Sequence, residues 1–205
     1  MFTHEEYYTL PRIDLVGSVD DSMVRHMRES ARALNPTRME TKRVLVTLSS
    51  AGGYVNSARS ISEEFKILEG AVEDVTLFII GTCMSAAVSA AMGVRAENRL
   101  ATPNTKFYLH ESNGEFPEVR GPLSQRRAAW QRMGVDLDAE EVEADYVYDS
   151  IAKGCGQSRE AVERVAETNI YLRGQDAVRF GLVSAIIDLS QRTTAPDLHL
   201  VADAN

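Results

Sequence analysis

Apolar positions along the chain switch repeatedly between a period of two and a helical period, and the switches order the elements. Residues 13–16 (IDLV) read as a short strand ending at Gly17-Ser18. Asp20 or Asp21 then caps a helix that runs to about Leu34, with Val24, Met27, Ala31 and Leu34 at helical spacing. Asn35-Pro36-Thr37 is a turn, and residues 43–48 (RVLVTL) form a strand followed by the loop Ser49-Ser50-Ala51-Gly52-Gly53. A helix with Ala58, Ile61, Phe65 and Leu68 on one face comes next. Residues 75–80 are a strand, residues from Ser85 to Met92 start a helix, and 105–109 are another strand, with Phe107 and Leu109 alternating with polar neighbours. A long helical region covers 123–152, weakened at Gly134, where Gly costs about 1 kcal/mol relative to Ala. A helix at 159–168, a short strand at Tyr171, a helix at 175–180 and a strand at 183–187 complete the pattern. Strands alternating with helices predict an α/β fold with a largely parallel sheet. With no internal repeat and no linker, residues 1–190 read as a single domain and 191–205 as a fraying tail.

Residues 75–94 (VTLFIIGTCMSAAVSAAMGV) carry no charge and meet the length criterion for a membrane span. Only their first six residues are strongly apolar, however, so a buried strand feeding a small-residue helix after Gly81 fits better. The whole chain is 44% apolar and 25% charged, the make-up of one soluble domain rather than a disordered or collagen-like chain. A formal net charge of −8 argues against a general binder of nucleic acid or anionic membrane, because no excess of cations is there to displace counterions. The two cysteines, Cys83 and Cys155, lack metal-ligand spacing, so no zinc site is expected and a reducing compartment fits. The N-terminus, MFTHEEYYTL, does not read as a signal peptide.

Candidate chemistry gathers at three strand ends. Ligands of parallel sheets bind outside the carboxyl ends of the strands. Gly52-Gly53 follows one strand, and a Gly pair there can turn bare N–H groups toward a cleft, as an oxyanion hole requires. Gly81-Thr82-Cys83-Met84-Ser85 follows the next, placing Ser85 at a helix start whose dipole favours developing negative charge. The segment is not a GxSxG elbow, so an α/β-hydrolase is not indicated. Taken singly, Gly-Gly is commonly just a turn and such a Ser just a helix cap. His110 ends a third strand, whereas His4, His26 and His199 lie in the N-terminal segment, a helix and the tail. If one histidine is a general base, it is His110.

These segments, in this order, resemble the Clp protease proteolytic subunits (ClpP) over roughly residues 13–188. Ser49-Ser50-Ala51-Gly52-Gly53-Tyr54-Val55 is similar to the family's NSPGGxV loop, and Gly81-Thr82-Cys83-Met84-Ser85-Ala86-Ala87 to its GxAxSMG nucleophile segment. Pro103-Asn104 with Phe107-Tyr108-Leu109-His110 resembles LPN…MIH, and Tyr171-Leu172 with 175–183 resembles FLSxxEAxxYGLVD. The resemblance implies the ClpP/crotonase-like superfold, a largely parallel sheet with flanking helices and a protruding handle helix at about 122–153. It implies a cytoplasmic serine endopeptidase that needs no cofactor or metal and cleaves short or unfolded peptides through an acyl-enzyme. Ser85 would be the nucleophile and His110 the general base, with the N–H groups of Gly53 and Ala86 as the oxyanion hole. The subunits would form a homo-oligomer of two stacked seven-membered rings. Leu123, Trp130, Val142, Tyr146 and Ile151 of the handle region are more apolar surface than one small domain covers, as an interface requires.

The departures from the family pattern matter as much. Its triad Asp falls on Asn169, which can accept the imidazole N–H but cannot stabilise an imidazolium by charge; where such an Asn selects the wrong tautomer, the loss in a serine protease is about 10⁴ in rate. Glu167 and Asp176 are reserve candidates for the acid. Ala51 replaces the loop proline, and Ala86-Ala87 replaces Met-Gly. About a dozen residues precede Ile13, which leaves little of the axial hairpin that helps engage an AAA+ unfoldase and leaves that partner open. The stretch 134–169 is longer than usual; its run Asp136, Asp138, Glu140, Glu141, Glu143 and Asp145 reads as a solvated helix face. Two other functions stay in view: a weak or inactive ClpP-like scaffold or regulatory subunit, and an acyl-CoA enzyme of the crotonase superfold. The latter fits less well, since Ser85 and His110 suit acyl transfer to a Ser and no acidic pair is placed for hydration.

Overall fold

The first ordered turn forms because Thr3 and Glu6 cap each other: the Thr3 N–H donates to the Glu6 carboxylate at 2.7 Å and the Glu6 N–H to Thr3 Oγ1 at 3.1 Å. This opens α1 (His4–Thr9), a helix the apolar pattern does not reveal because no α1 side chain is fully buried. The computed structural model describes residues 2–39, 42–111, 113–116, 119–133 and 138–190. Strand β1 (Arg12–Val16) leads to α2 (Asp21–Leu34), where the Asp20 carboxylate accepts the N–H groups of Ser22 and Met23. Then come β2 (Arg43–Ser50), α3 (Val55–Ala71), β3 (Asp74–Met84), α4 (Ala86–Ala91), β4 (Arg99–Ala101) and β5 (Lys106–Tyr108). An antiparallel pair, β6 (Asn113–Phe116) and β7 (Val119–Pro122), precedes α5 (Leu123–Met133) and α6 (Asp138–Cys155). The chain continues through α7 (Arg159–Thr168), β8 (Tyr171–Arg173), α8 (Gly174–Phe180) and β9 (Ala185–Ile186). The expected weak point at Gly134 and the tail 191–205 lie outside the described residues.

Among the described residues the main sheet is parallel in the order β1-β2-β3-β4-β9, with β5 added parallel to β3 and β8 antiparallel to β5. Both faces of its centre are covered, so β2 and β3 are continuous apolar runs. Val44, Val46 and Leu48 with Val75, Leu77 and Ile79 join the larger core, which also takes Met27 of α2 and Ile61 and Phe65 of α3. Leu45 and Phe78 point the other way, beneath Phe2, Tyr7 and Leu10 of the N-terminal segment.

Strand β3 is longer than its apolar stretch suggests. It does not end at Ile80 but bends at Gly81 (φ 79°), where the register against β2 shifts between Leu48 and Ser50. Its first part pairs with β4 and its last three residues with β5. The uncharged stretch 75–94 is thus divided between β3 and α4, and no helix among the described residues is long and apolar enough to cross a membrane. At the C-terminal end, the expected strand 183–187 is regular over Ala185 and Ile186, and the flanking Ser184 and Ile187 N–H groups also donate to the Arg99 and Ala101 carbonyls of β4.

The acidic run on α6 is not simply solvated. Glu141 pairs with Arg127 of α5 at 2.8 Å, Glu143 accepts from Asn56 of α3 at 3.1 Å, and Asp145 pairs with Arg159 of α7. These contacts dock the α5–α6 region onto the body, which a pattern read along one helix cannot reveal. Asp136 and the side chains of Asp138 and Glu140 lie outside the described residues, as do those of Leu123 and Trp130. Of the other apolar handle positions, Val142 is 60% exposed while Ile151 is buried. Beneath the helices, the fully buried Arg99 guanidinium donates to the carbonyls of Gly154 and Gly181, at the C-terminal ends of α6 and α8. Those ends carry partial negative charge, which offsets part of the cost of burying a cation.

Candidate active site

Ser85 sits between β3 and α4 with φ 53° and ψ −130°, a conformation L-residues rarely adopt. Such a residue costs about 1–3 kcal/mol and persists only where its surroundings over-determine it. Here they do. The Ser85 N–H donates to the Tyr108 carbonyl at 2.8 Å, continuing the β3–β5 pairing, and Gly52 packs directly against Ser85. Ser85 stands at the N-cap of α4, but its side chain makes no capping hydrogen bond there. Ala86 is the first residue of α4, where the end N–H groups have no intrahelical acceptor.

The two glycines are required for separate reasons. A Cβ on Gly52 (φ 105°) would lie 2.6 Å from Ser85 Cβ, and one on Gly53 would lie 2.3 Å from the Val19 carbonyl oxygen. Gly53 forms an isolated parallel bridge with Val19, made by the Val19 N–H to Gly52 O and the Tyr54 N–H to Val19 O. In such a bridge the central residue's own N–H points away from its partner strand. The Gly53 N–H therefore faces away from Val19.

His110 is half-buried just beyond β5, and its Nδ1 lies 2.5 Å from the Glu111 carbonyl oxygen. A carbonyl only accepts, so Nδ1 carries the proton, and in the neutral ring Nε2 is the basic nitrogen. The imidazole stacks on Tyr108 (centroids 5.3 Å apart), whose other neighbour in the stack is Tyr171 (4.8 Å). Asn169, at the left-handed C-cap of α7, does not bond His110. Its Oδ1 accepts from Tyr108 Oη at 2.8 Å and its Nδ2 donates to the Glu167 carbonyl at 3.3 Å. Of the reserve acids, Asp176 pairs with Arg179 on the surface of α8, and Glu167 lines a cavity of about 370 Å³ with Glu111, Tyr148, Arg159 and Glu163. Burial and these carboxylates push the Tyr148 phenol up to about 12. Cys83, two residues before Ser85, is fully buried, and desolvation raises its thiol well above the ordinary range.

The structure thus gathers Gly52-Gly53, Ser85, His110 and Asn169 around one end of the sheet, linked by β3–β5 and β5–β8 pairing. Two participants are not evident from sequence: Tyr108, which stands between His110 and Asn169, and the Glu111 carbonyl. The alternation of 105–109 does place Tyr108 and His110 on one face, and that was the only signal for the former. A backbone carbonyl leaves no trace in residue type.

The Clp protease family model matches residues 5–190, nearly the whole described chain. The chain belongs to the Clp protease family. Two ATP-dependent Clp protease proteolytic subunits 2 are each 26% identical to this family member: that of Gluconobacter oxydans, over 86% of this chain and 73% of its own, and that of Pseudomonas aeruginosa, over 90% and 85%. Among solved structures, ClpP1 from Listeria monocytogenes superposes with a TM-score of 0.64 at 20% identity, over 87% of this chain and 91% of that one. An Asn-to-Asp mutant of the same protein gives 0.66 at 18% identity with the same coverage. The ClpP/crotonase-like fold expected from the motifs is therefore the fold present, and the chain stands among proteases.

Proposed function

We propose that this Clp protease family member is a serine endopeptidase acting on short or unfolded peptides. Ser85 Oγ adds to the scissile carbonyl carbon as its proton passes to His110 Nε2, and the N–H groups of Gly53 and Ala86 receive the oxyanion. The C–N bond then breaks, His110 protonates the leaving amine, and an acyl ester remains on Ser85. Water, deprotonated by His110, hydrolyses that ester and regenerates the hydroxyl. The chemistry uses no metal or cofactor. The observation that carries this reading is the strained Ser85, whose side chain makes no capping bond, pressed against Gly52 and bonded through its N–H to β5, the strand just before His110. Two stacked seven-membered rings in the cytoplasm are the assembly proposed, with an AAA+ unfoldase left as an open partner.

One observation favours a second reading, a weak or inactive scaffold subunit: the Asn169 amide is engaged by Tyr108 and not by the imidazole. A fluorophosphonate probe separates the two. Stoichiometric labelling of Ser85 in an assembled ring supports the peptidase, and an assembled ring without adduct supports the scaffold. A stable monomer by light scattering at micromolar concentration sinks the ring.

A further inference from the structure

We propose that Tyr108 is a positioning residue for the base, and that Asn169 acts on His110 only through the Tyr108 ring. The inference rests on the peptidase reading of Ser85 and His110. Phe107 and Leu109 are buried in the core, at 1% and 3% exposure, which turns Tyr108 and His110 together to the opposite face of the same segment. There the Tyr108 ring is fixed on two sides. Tyr171, its direct partner in the β5–β8 register, stacks with it, and Asn169 Oδ1 holds its hydroxyl at 2.8 Å. The imidazole then rests against this immobilised ring, with Nδ1 on the Glu111 carbonyl. Offset stacks of this kind are worth about 0.5–1.5 kcal/mol beyond area burial, enough to favour one ring orientation.

Asn169 has little freedom to do otherwise. Its backbone is pinned as the left-handed cap of α7, its Nδ2 donates to the Glu167 carbonyl, and its Oδ1 is occupied by the phenol. A direct bond would require the His110 Nδ1–H to leave Glu111 and the imidazole to turn off the Tyr108 stack. The arrangement instead passes the constraint along: Asn169 to the phenol edge, the phenol face to the imidazole.

The test is a double-mutant cycle read by peptide hydrolysis and by the rate of fluorophosphonate labelling. Tyr108→Phe keeps both stacks and deletes only the hydroxyl. The expected result is that Tyr108→Phe and Asn169→Ala each lower kcat about fivefold, the size of one neutral hydrogen bond, with KM unchanged. The double variant is then no slower than either single one, and Tyr108→Leu, which removes the ring, is slower still. Light scattering confirms that each keeps the wild-type assembly. If Tyr108→Phe matches or exceeds wild type while Asn169→Ala is slow, or if the two losses multiply, Asn169 acts independently of Tyr108 and the inference is overturned. A wild-type chain whose Ser85 takes no probe overturns the peptidase reading itself, a different outcome from either.

Discussion

Ser85 and Asn169 flank the same histidine strand but are held by different means. Ser85 is set by backbone: a strained φ, an N–H bonded to the Tyr108 carbonyl, and Gly52 in contact where any side chain would collide. Asn169 also has a left-handed backbone, as the cap of α7, but its side chain is placed by bonds near the surface, to the Tyr108 phenol and the Glu167 carbonyl. Backbone packed in a core leaves few alternative arrangements, because each displacement disturbs several close-packed neighbours. Exposed side-chain bonds compete with water and have modest net worth. The Ser85 side of the site is therefore expected to tolerate little change, and the Asn169 side to accept change one group at a time.

The largest expected effect on that contrast is at Ser85, the proposed nucleophile. Ser85→Ala should lower peptide hydrolysis by about 10³-fold or more, leaving what the oxyanion donors supply on their own. Ser89→Ala, one turn along α4, should stay within about twofold, since its hydroxyl is buried and merely returns to the Ala86 carbonyl. Equal losses from the two would mean that the Ser85 hydroxyl has no special part in hydrolysis.

Gly52→Ala comes next. Its Cβ would meet Ser85 Cβ and the Met84 carbonyl, all parts of the backbone-built side, so kcat should drop about 10²-fold as the reacting atoms are displaced. Gly17→Ala is the fitting control, with a similarly positive φ of 113° but open space where the methyl would go. It should cost stability through strain and leave kcat alone. Comparable kcat losses in the two variants would mean that general strain, rather than contact with Ser85, sets the rate.

The smallest change is expected on the other side, and it is a gain. Asn169→Asp puts a charge beside the Tyr108–His110 stack. In the proposed mechanism the charge would strengthen the phenol bond and favour an imidazolium formed as Ser85 attacks, with each 1.36 kcal/mol worth about tenfold in rate. A several-fold rise in kcat for short peptides is the expected outcome, while Asn169→Ala should cost far less than Ser85→Ala. An assembled Asp variant no faster than wild type would show that Asn169 does not limit the rate.

How much of this could be read in advance differs between the same two regions. The β3–α4 segment announces itself locally: a β-branched apolar run, a glycine, then Ser85 and small residues, with Gly52-Gly53 after the preceding strand. Even there the strand's true end escaped the pattern. Pairing with β5 carries β3 through Gly81 to Met84, although hydrophobicity stops at Ile80. Strand β4 and the β6–β7 pair were also missed, being only three or four residues each, too short for any period to emerge. The position of Asn169 in the motif order could be assigned, but not its bond.

By itself, the sequence determined the order of the main elements and most of the faces they bury, and it singled out Ser85, His110 and the Gly52-Gly53 pair as candidates for acyl transfer. These follow from local periodicity and residue chemistry, which act over a few positions. Only the tertiary structure decided that β5 pairs with both the end of β3 and β8, setting Tyr108 opposite Tyr171 and bringing Asn169, 61 residues away, onto the Tyr108 hydroxyl rather than the His110 ring. That choice rests on strand register and on the αL cap of α7. Both come from packing among distant segments, and a one-residue slip in either would turn the same side chains to the opposite face.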